Sequence, residues 1–159
     1  MNVSTDRTFG SPEEGVDYCQ STGAYLVLVR DGRLGVIRTP HGDTLPGGEV
    51  EGDESHEDRI LRACLAQIGY DVRVDELIVS ADAWTVCPTR GAYHPTQFYY
   101  SGELLDPLLE GVDSLEWISL DDIDTQLLPM QAFAVRRHVG RETSAAALAF
   151  IDGKHESYG

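Results

Sequence analysis

The spacing of apolar positions changes several times along the chain, and each change marks an element. Residues 1–20 are polar and acidic, with Gly10, Pro12 and Gly15 among them, and read as a loose lead-in. Ala24-Tyr-Leu-Val-Leu-Val-Arg30 is a short apolar, β-branched run, which predicts a strand. Asp31-Gly32 reads as a tight hairpin turn, because glycine tolerates positive φ, and Leu34 to Thr39 is the returning strand. Pro40 to Asp43 reads as a loop, and Thr44-Leu45 leads into Pro46-Gly47-Gly48.

From Ser55 to Ile68 the spacing turns helical. Ile60, Leu61, Cys64, Leu65 and Ile68 cluster on one side at 100° per residue. Ser55 is placed to cap this helix, with Asp58 three residues on in the manner of a capping box, and Gly69 ends it. Strands rich in Val, Ile, Trp, Phe and Tyr follow at Arg73 to Ser80, Ala83 to Cys87 and Thr96 to Gly102. Glu103 to Asp124 carries eight acids and no base, around a short strand at Leu115-Glu-Trp-Ile-Ser119. A second helix is predicted over Pro129 to Val139, with Pro129 in its first turn and Arg136, Arg137 and His138 near its C-terminus, as the helix dipole favours. This order of elements gives a mixed α/β layer fold. The expected organisation is a lead-in over 1–20, one domain over 21–141 and a tail over 142–159, in which Ala145 to Ile151 reads as helix or strand.

Composition narrows the classes. A chain of 159 residues makes one domain and can bury a core without disulfides or structural metal. No apolar run approaches the roughly 18 residues of a membrane span, and Met1 to Gly10 lacks a signal-peptide pattern, so a soluble, cytoplasmic protein is expected. Cys19, Cys64 and Cys87 are odd in number and not closely spaced, which reads as reduced core thiols rather than a disulfide frame or a zinc site. Acids outnumber bases 27 to 12, for a formal net charge of -15, and Lys154 is the single lysine. Such a surface repels nucleic-acid backbones and anionic membranes. A small phosphorylated ligand stays admissible, provided a metal or local arginines hold it.

Candidate chemistry concentrates in Leu45 to Tyr70, LPGGEVEGDESHEDRILRACLAQIGY. A strand end meets two glycines, then a loop with six acids between Gly48 and Asp58, then a helix. Gly47 and Gly48 permit a sharp turn and close approach to a ligand. Clustered carboxylates suit Mg2+ or Mn2+. The same run also reads as a solvated acidic loop before an ordinary amphipathic helix.

In register, this stretch resembles the Nudix box of the MutT-like Nudix hydrolase family. That box runs Gly, five residues, Glu, seven residues, then Arg-Glu-apolar-x-Glu-Glu-x-Gly-apolar. Gly48, Glu54, Arg62, Cys64, Gly69 and Tyr70 take their positions over 23 residues, and Glu116-Trp117 and a closing helix follow at about the family's distance. The resemblance spans roughly Gly23 to Val139. It implies an α/β fold with a mixed β-sheet sandwiched between helices. It also implies metal-assisted hydrolysis of a nucleoside diphosphate-linked substrate, in a family many of whose members form homodimers.

The box is degenerate. The three glutamates that hold divalent cations in the family are Ala63, Ala66 and Gln67 here. On an ideal helix these lie within about 100° of arc, and the reading places them away from the Ile60, Leu61 and Cys64 side. Hydrolase activity is therefore expected to be reduced or lost. The alternative is a binding or regulatory module that holds a nucleotide or sugar phosphate without cleaving it.

By resemblance, Glu54 and Arg62 are the catalytic candidates, and Glu51, Glu54 and Gln67 the candidate ligands for a weakened Mg2+ or Mn2+ site. A second reading has Glu54 pairing with Arg62 to fasten loop to helix. Arg38, Gly47, Gly48 and Arg90 are the candidate substrate-binding residues, the arginines as phosphate clamps. Glu49, Asp53, Glu57 and Asp58 are substitute ligands or solvated charges, as are Glu110 and Asp113 near Trp117. Trp84, Phe98, Tyr99 and Tyr100 are candidate stacking surfaces or core. His41 and His94 stand alone without metal-ligand spacing, and no nucleophile–His–acid arrangement is legible.

Overall fold

The computed structural model describes residues 4–87, 90–110 and 115–151, with side chains up to residue 140. In chain order the elements are β1 (Arg7–Phe9), β2 (Cys19–Val27), β3 (Val29–Arg30), β4 (Arg33–Thr39), β5 (Gly42–Thr44), β6 (Gly47–Glu49) and α1 (His56–Ile68). Then come β7 (Tyr70–Ala83), β8 (Thr85–Cys87), β9 (Gly91–Pro107), β10 (Leu115–Ser119), a 3-10 turn (Leu120–Asp122), α2 (Ile123–Gln126) and α3 (Pro129–Ile151).

A six-stranded mixed sheet runs β1-β7-β9-β2-β6, with β8 added to β9. Its central pair, β2 with β9, is parallel, and Cys19 to Val27 lie opposite Tyr93 to Ser101. A four-stranded sheet runs β10-β4-β3, with β5 on β4. Asp31 and Gly32 join β3 to β4 at φ 52° and 74°, the two positive angles of a hairpin turn whose twist matches its strands.

Alternation along β2 divides the core. Ala24 and Leu26 face α1 and pack with Ile60, Cys64 and Ile68. Val27 faces the other way, with Tyr25 packed against that side, and there Val79, Ala81 and Tyr99 of the larger sheet meet Val36 and Ile118 of the smaller sheet and Ala134 and Val135 of α3. The larger sheet thus lies between α1 and α3, the α/β layering of the sequence reading. Of the three cysteines expected in the core, Cys64 is buried, Cys87 is half-buried and Cys19 is exposed at the start of β2. Burial lifts the Cys64 thiol to about 12, so it packs as a small apolar group.

The helix α1 begins where its cap predicts. Ser55 Oγ accepts from the Asp58 amide at 3.0 Å. At the other end Gly69 takes φ 74° and its N–H reaches the Cys64 and Leu65 carbonyls.

Several expectations are corrected. The lead-in is partly ordered: Arg7–Phe9 pairs in parallel with Ala81–Ala83 of β7. Its pairing is tertiary, made by the Asp6 amide on the Ser80 carbonyl and by Thr5 and Thr8 on Asp82, and a three-residue Arg-Thr-Phe strand is too short to show a strand period. The loop at Pro40 to Asp43 gives way to β5 at Gly42. Strands β7 and β9 are longer than predicted at 14 and 17 residues, because their antiparallel pairing carries them through bulges and polar stretches. The helix α3 crosses residue 141 and ends at Ile151. Among the described residues no helix is long and apolar enough to cross a membrane.

The Ile60 side chain is fully buried at the centre of the α1–sheet contact. Its replacement by alanine should lower unfolding free energy by about 2–5 kcal/mol, read by urea denaturation.

Candidate functional site

The box loop leaves the sheet at β6, an edge strand. Gly47 sits there at φ 144°, and a Cβ on it would come 2.2 Å from the Ala24 carbonyl oxygen, so no larger residue fits. A Cβ on Gly48 would strike the Arg59 guanidinium at 2.1 Å. These two glycines therefore serve close approach to this chain's own groups.

The acids of the loop separate into held and solvated ones. Glu54 accepts from Arg62 Nε at 2.8 Å and Arg62 Nη2 at 3.0 Å, a bidentate pair, and also from the Glu51 amide at 3.3 Å. The Arg62 hydrogen bonds hold the Glu54 carboxyl down at about 2. Glu51 is 76% exposed, with one oxygen 3.5 Å from Arg62. Glu49 pairs with Arg90 and accepts from Tyr93 Oη at 3.0 Å. Asp53, Glu57, Asp58 and Glu110 face solvent, and Asp113 lies outside the described residues.

Gln67 is engaged at both ends of its carboxamide. Its Oε1 accepts from the Gly47 amide at 3.2 Å, and its Nε2 donates to the Gly47 carbonyl at 3.0 Å. Ala63 is 1% exposed, which corrects its expected place away from the apolar side. The helical wheel explains this: position 63 is only about 60° of arc from Ile60, so the family's ligand face runs into the core here. Ala66 is exposed.

The remaining candidates are scattered. Arg38 is exposed on β4, in the other sheet, opposite Asp43. Arg90 lies 4.3 Å over the Tyr93 ring and is neutralised by Glu49. His41 sits in the exposed turn before β5. Tyr99 is wholly buried core, while Tyr100 Oη lies 2.7 Å from His56 Nδ1.

Beside the loop is a cavity of about 760 Å3, floored by the larger sheet and lined by Gln20, Thr22, Thr96, Trp84 and Phe98, with Val50 and Gly52 of the box loop forming one wall. Among the described residues its lining holds no lysine or arginine. At its base His94 Nε2 lies 2.7 Å from Asp82 Oδ2, and the His94 ring stacks on Trp84 at 3.7 Å between centroids and 7° between planes. Thr5 and Thr8 donate to Asp82 Oδ1 at 2.5 Å and 2.7 Å. Burial pushes the Asp82 carboxyl up, but the hydrogen bonds from His94, Thr5 and Thr8 outweigh it and hold the group below its ordinary value. Ionised Asp82 accepts a hydrogen bond from His94 Nε2–H. Nδ1 is then left as the one buried side-chain polar atom without a hydrogen-bond partner among the described residues.

An acid–His pair therefore exists, with the Thr5 and Thr8 hydroxyls on the acid and no hydrogen bond at His94 Nδ1 among the described residues. Its signal was register: Asp82 lies opposite Thr96, so Asp82 and Trp84 share a sheet face with His94. Trp84 and Phe98 line a cavity as one sequence reading allowed.

The fold found here is that of the Nudix hydrolases. No family model matches the chain, and no curated protein matches it at the sequence level. The structure is similar to that of a Nudix hydrolase from Nitrosomonas europaea, with 20% identity, TM-score 0.60, and 77% of this chain and 90% of that one covered. It is similar to a MutT protein from Methanosarcina mazei Go1 at 15% identity and TM-score 0.63, covering 80% and 99%. A MutT Nudix hydrolase from Burkholderia pseudomallei matches at 24% identity and TM-score 0.57, covering 75% and 98%.

The divalent cation that this fold implies does not fit the residues present. Both Glu54 oxygens face a guanidinium, Gln67 is spent on a peptide, and positions 63 and 66 offer no donor. Among the described residues no three His, Cys, Asp or Glu side chains gather where they could hold a metal ion.

The Asp82 pairing yields a pH prediction. A depressed carboxyl contributes stability that is fully present above its ordinary value of 3.8 and is lost as pH falls through its lower folded value. Asp82→Asn should cost about 1–3 kcal/mol at pH 7, and the gap to the unmodified protein should hold down to about pH 4 and shrink as pH falls further, measured by urea denaturation at each pH.

Proposed function

We propose that this Nudix-fold chain binds a small nucleotide-like or sugar-phosphate ligand and does not hydrolyse it by metal-activated water. The observation that carries this reading is the commitment of Glu54 to Arg62 and of Gln67 to Gly47, beside an open cavity. Water activation by a divalent ion needs carboxylates free to ligate it. Binding needs only the cavity. Its hydroxyl and amide walls, with ring faces from Trp84 and Phe98, suit an uncharged ring with hydrogen-bonding edges. The ligand's phosphates would lie at the mouth, away from Asp82, since the lining among the described residues supplies no cation to pair with them.

Calorimetry against nucleoside diphosphates, nucleoside diphosphate sugars and sugar phosphates tests this, alongside phosphate release with Mg2+ or Mn2+. At least one compound should bind equally in chelator and in metal, with phosphate release at the protein-free level. Trp84→Ala should weaken that binding by about tenfold, equivalent to about 1.4 kcal/mol. Turnover that chelator stops and Glu54→Gln abolishes would instead establish a metal-dependent hydrolase.

A further inference from the structure

The side of α1 that faces β6 carries Arg59, Ala63 and Gln67, four residues apart. The ladder between β6 and β2 explains what they meet. Leu26 donates to the Pro46 carbonyl at 2.9 Å and Val50 to the Thr22 carbonyl at 2.8 Å, with Ala24 opposite Gly48 between them. In an antiparallel pair the intervening residues point their peptide groups the other way. For Gly47 and Glu49 that way is toward α1.

Each of these outward groups is met by a helix side chain. Gln67 takes the Gly47 N–H and C=O together. Arg59 Nε donates to the Glu49 carbonyl at 2.6 Å. Ala63, buried between them, adds no bulk to the contact. The edge of the sheet is closed by side chains acting as one more strand would.

Gln67 has a property that glutamate lacks. A carboxamide offers a donor and an acceptor at once. An ionised carboxylate could accept from the Gly47 amide, but its second oxygen would face the Gly47 carbonyl oxygen. Two facing oxygens repel unless a cation lies between them, and backbone carbonyls and carboxylates are what a hard divalent ion takes as ligands. Gly47 cannot turn away, because its backbone is pinned against Ala24 and Tyr25.

We propose that Gln67, with Arg59, does in this chain the structural work that a divalent cation does between a carboxylate and a backbone carbonyl. The joint between β6 and α1 is metal-free by construction, and one substitution, Gln67→Glu, makes it metal-dependent. This inference concerns the joint alone and stands whether or not the proposed ligand binds.

The test is thermal melting of the full chain in chelator and across a Mn2+ or Mg2+ titration. The unmodified protein should melt at one temperature throughout. Gln67→Glu should melt lower in chelator, by on the order of 5 °C, and recover most of that loss saturably with Mn2+. Gln67→Ala should also melt lower but show no recovery. A saturable rise in the unmodified protein would overturn the proposal, as would a Gln67→Glu variant that melts normally in chelator or is not rescued. Should Gln67→Glu fail to fold, hydrogen exchange of the Gly47 amide in the unmodified protein decides. Protection that chelator leaves unchanged supports the clamp, and exchange at the unprotected rate, or protection lost in chelator, refutes it.

Discussion

The seating of α1 on the larger sheet is the contact from which the rest of the site hangs. Ile60, Cys64 and Ile68 enter the space over Ala24 and Leu26 and leave no freedom of rotation about the helix axis. With that rotation set, Arg59 and Gln67 reach the outer edge of β6, Arg62 reaches back to Glu54, and His56 comes within 2.7 Å of Tyr100. Three of these side chains, Arg59, Arg62 and Gln67, tie the helix to β6 and to the loop that precedes it.

Charge explains why such an arrangement is self-sufficient. The box loop carries a dense run of carboxylates in a chain of net charge -15. Bringing such a loop against a helix costs repulsion unless positive groups offset it. Arg62 lies between Glu51 and Glu54, Arg90 neutralises Glu49, and Arg59 sits on the Glu49 carbonyl. Each cation comes from this chain's own side chains. Among the described residues the cavity next to the loop has no lysine or arginine in its lining, and its carboxylate, Asp82, is saturated by two threonines and His94.

Local signals were readable where local physics sets the element. The helix α1 starts one residue after its predicted cap and ends at its predicted glycine, because capping and apolar period are properties of neighbouring residues. The Asp31-Gly32 turn and the strand Leu115–Ser119 fall where expected for the same reason. The strand β1 and the full lengths of β7 and β9 were not readable, because their polar or irregular stretches are held by partners distant in sequence, as Thr5 and Thr8 are by Asp82. Ala145 to Ile151, read as helix or strand, is helix.

For the site itself, the sequence alone determined the residue types and their spacing from Gly48 to Tyr70 and left two readings of Glu54 and Arg62 open, since order and spacing are all it holds. Tertiary structure decided that Glu54 and Arg62 pair and what Gln67 does. A glutamine in a sequence is an amide with no address; two hydrogen bonds to Gly47 make it a clamp. Asp82 and His94 are twelve residues apart and unremarkable until an antiparallel register lays them on one face. Strand register is set by packing across the whole sheet, so no window of sequence contains it.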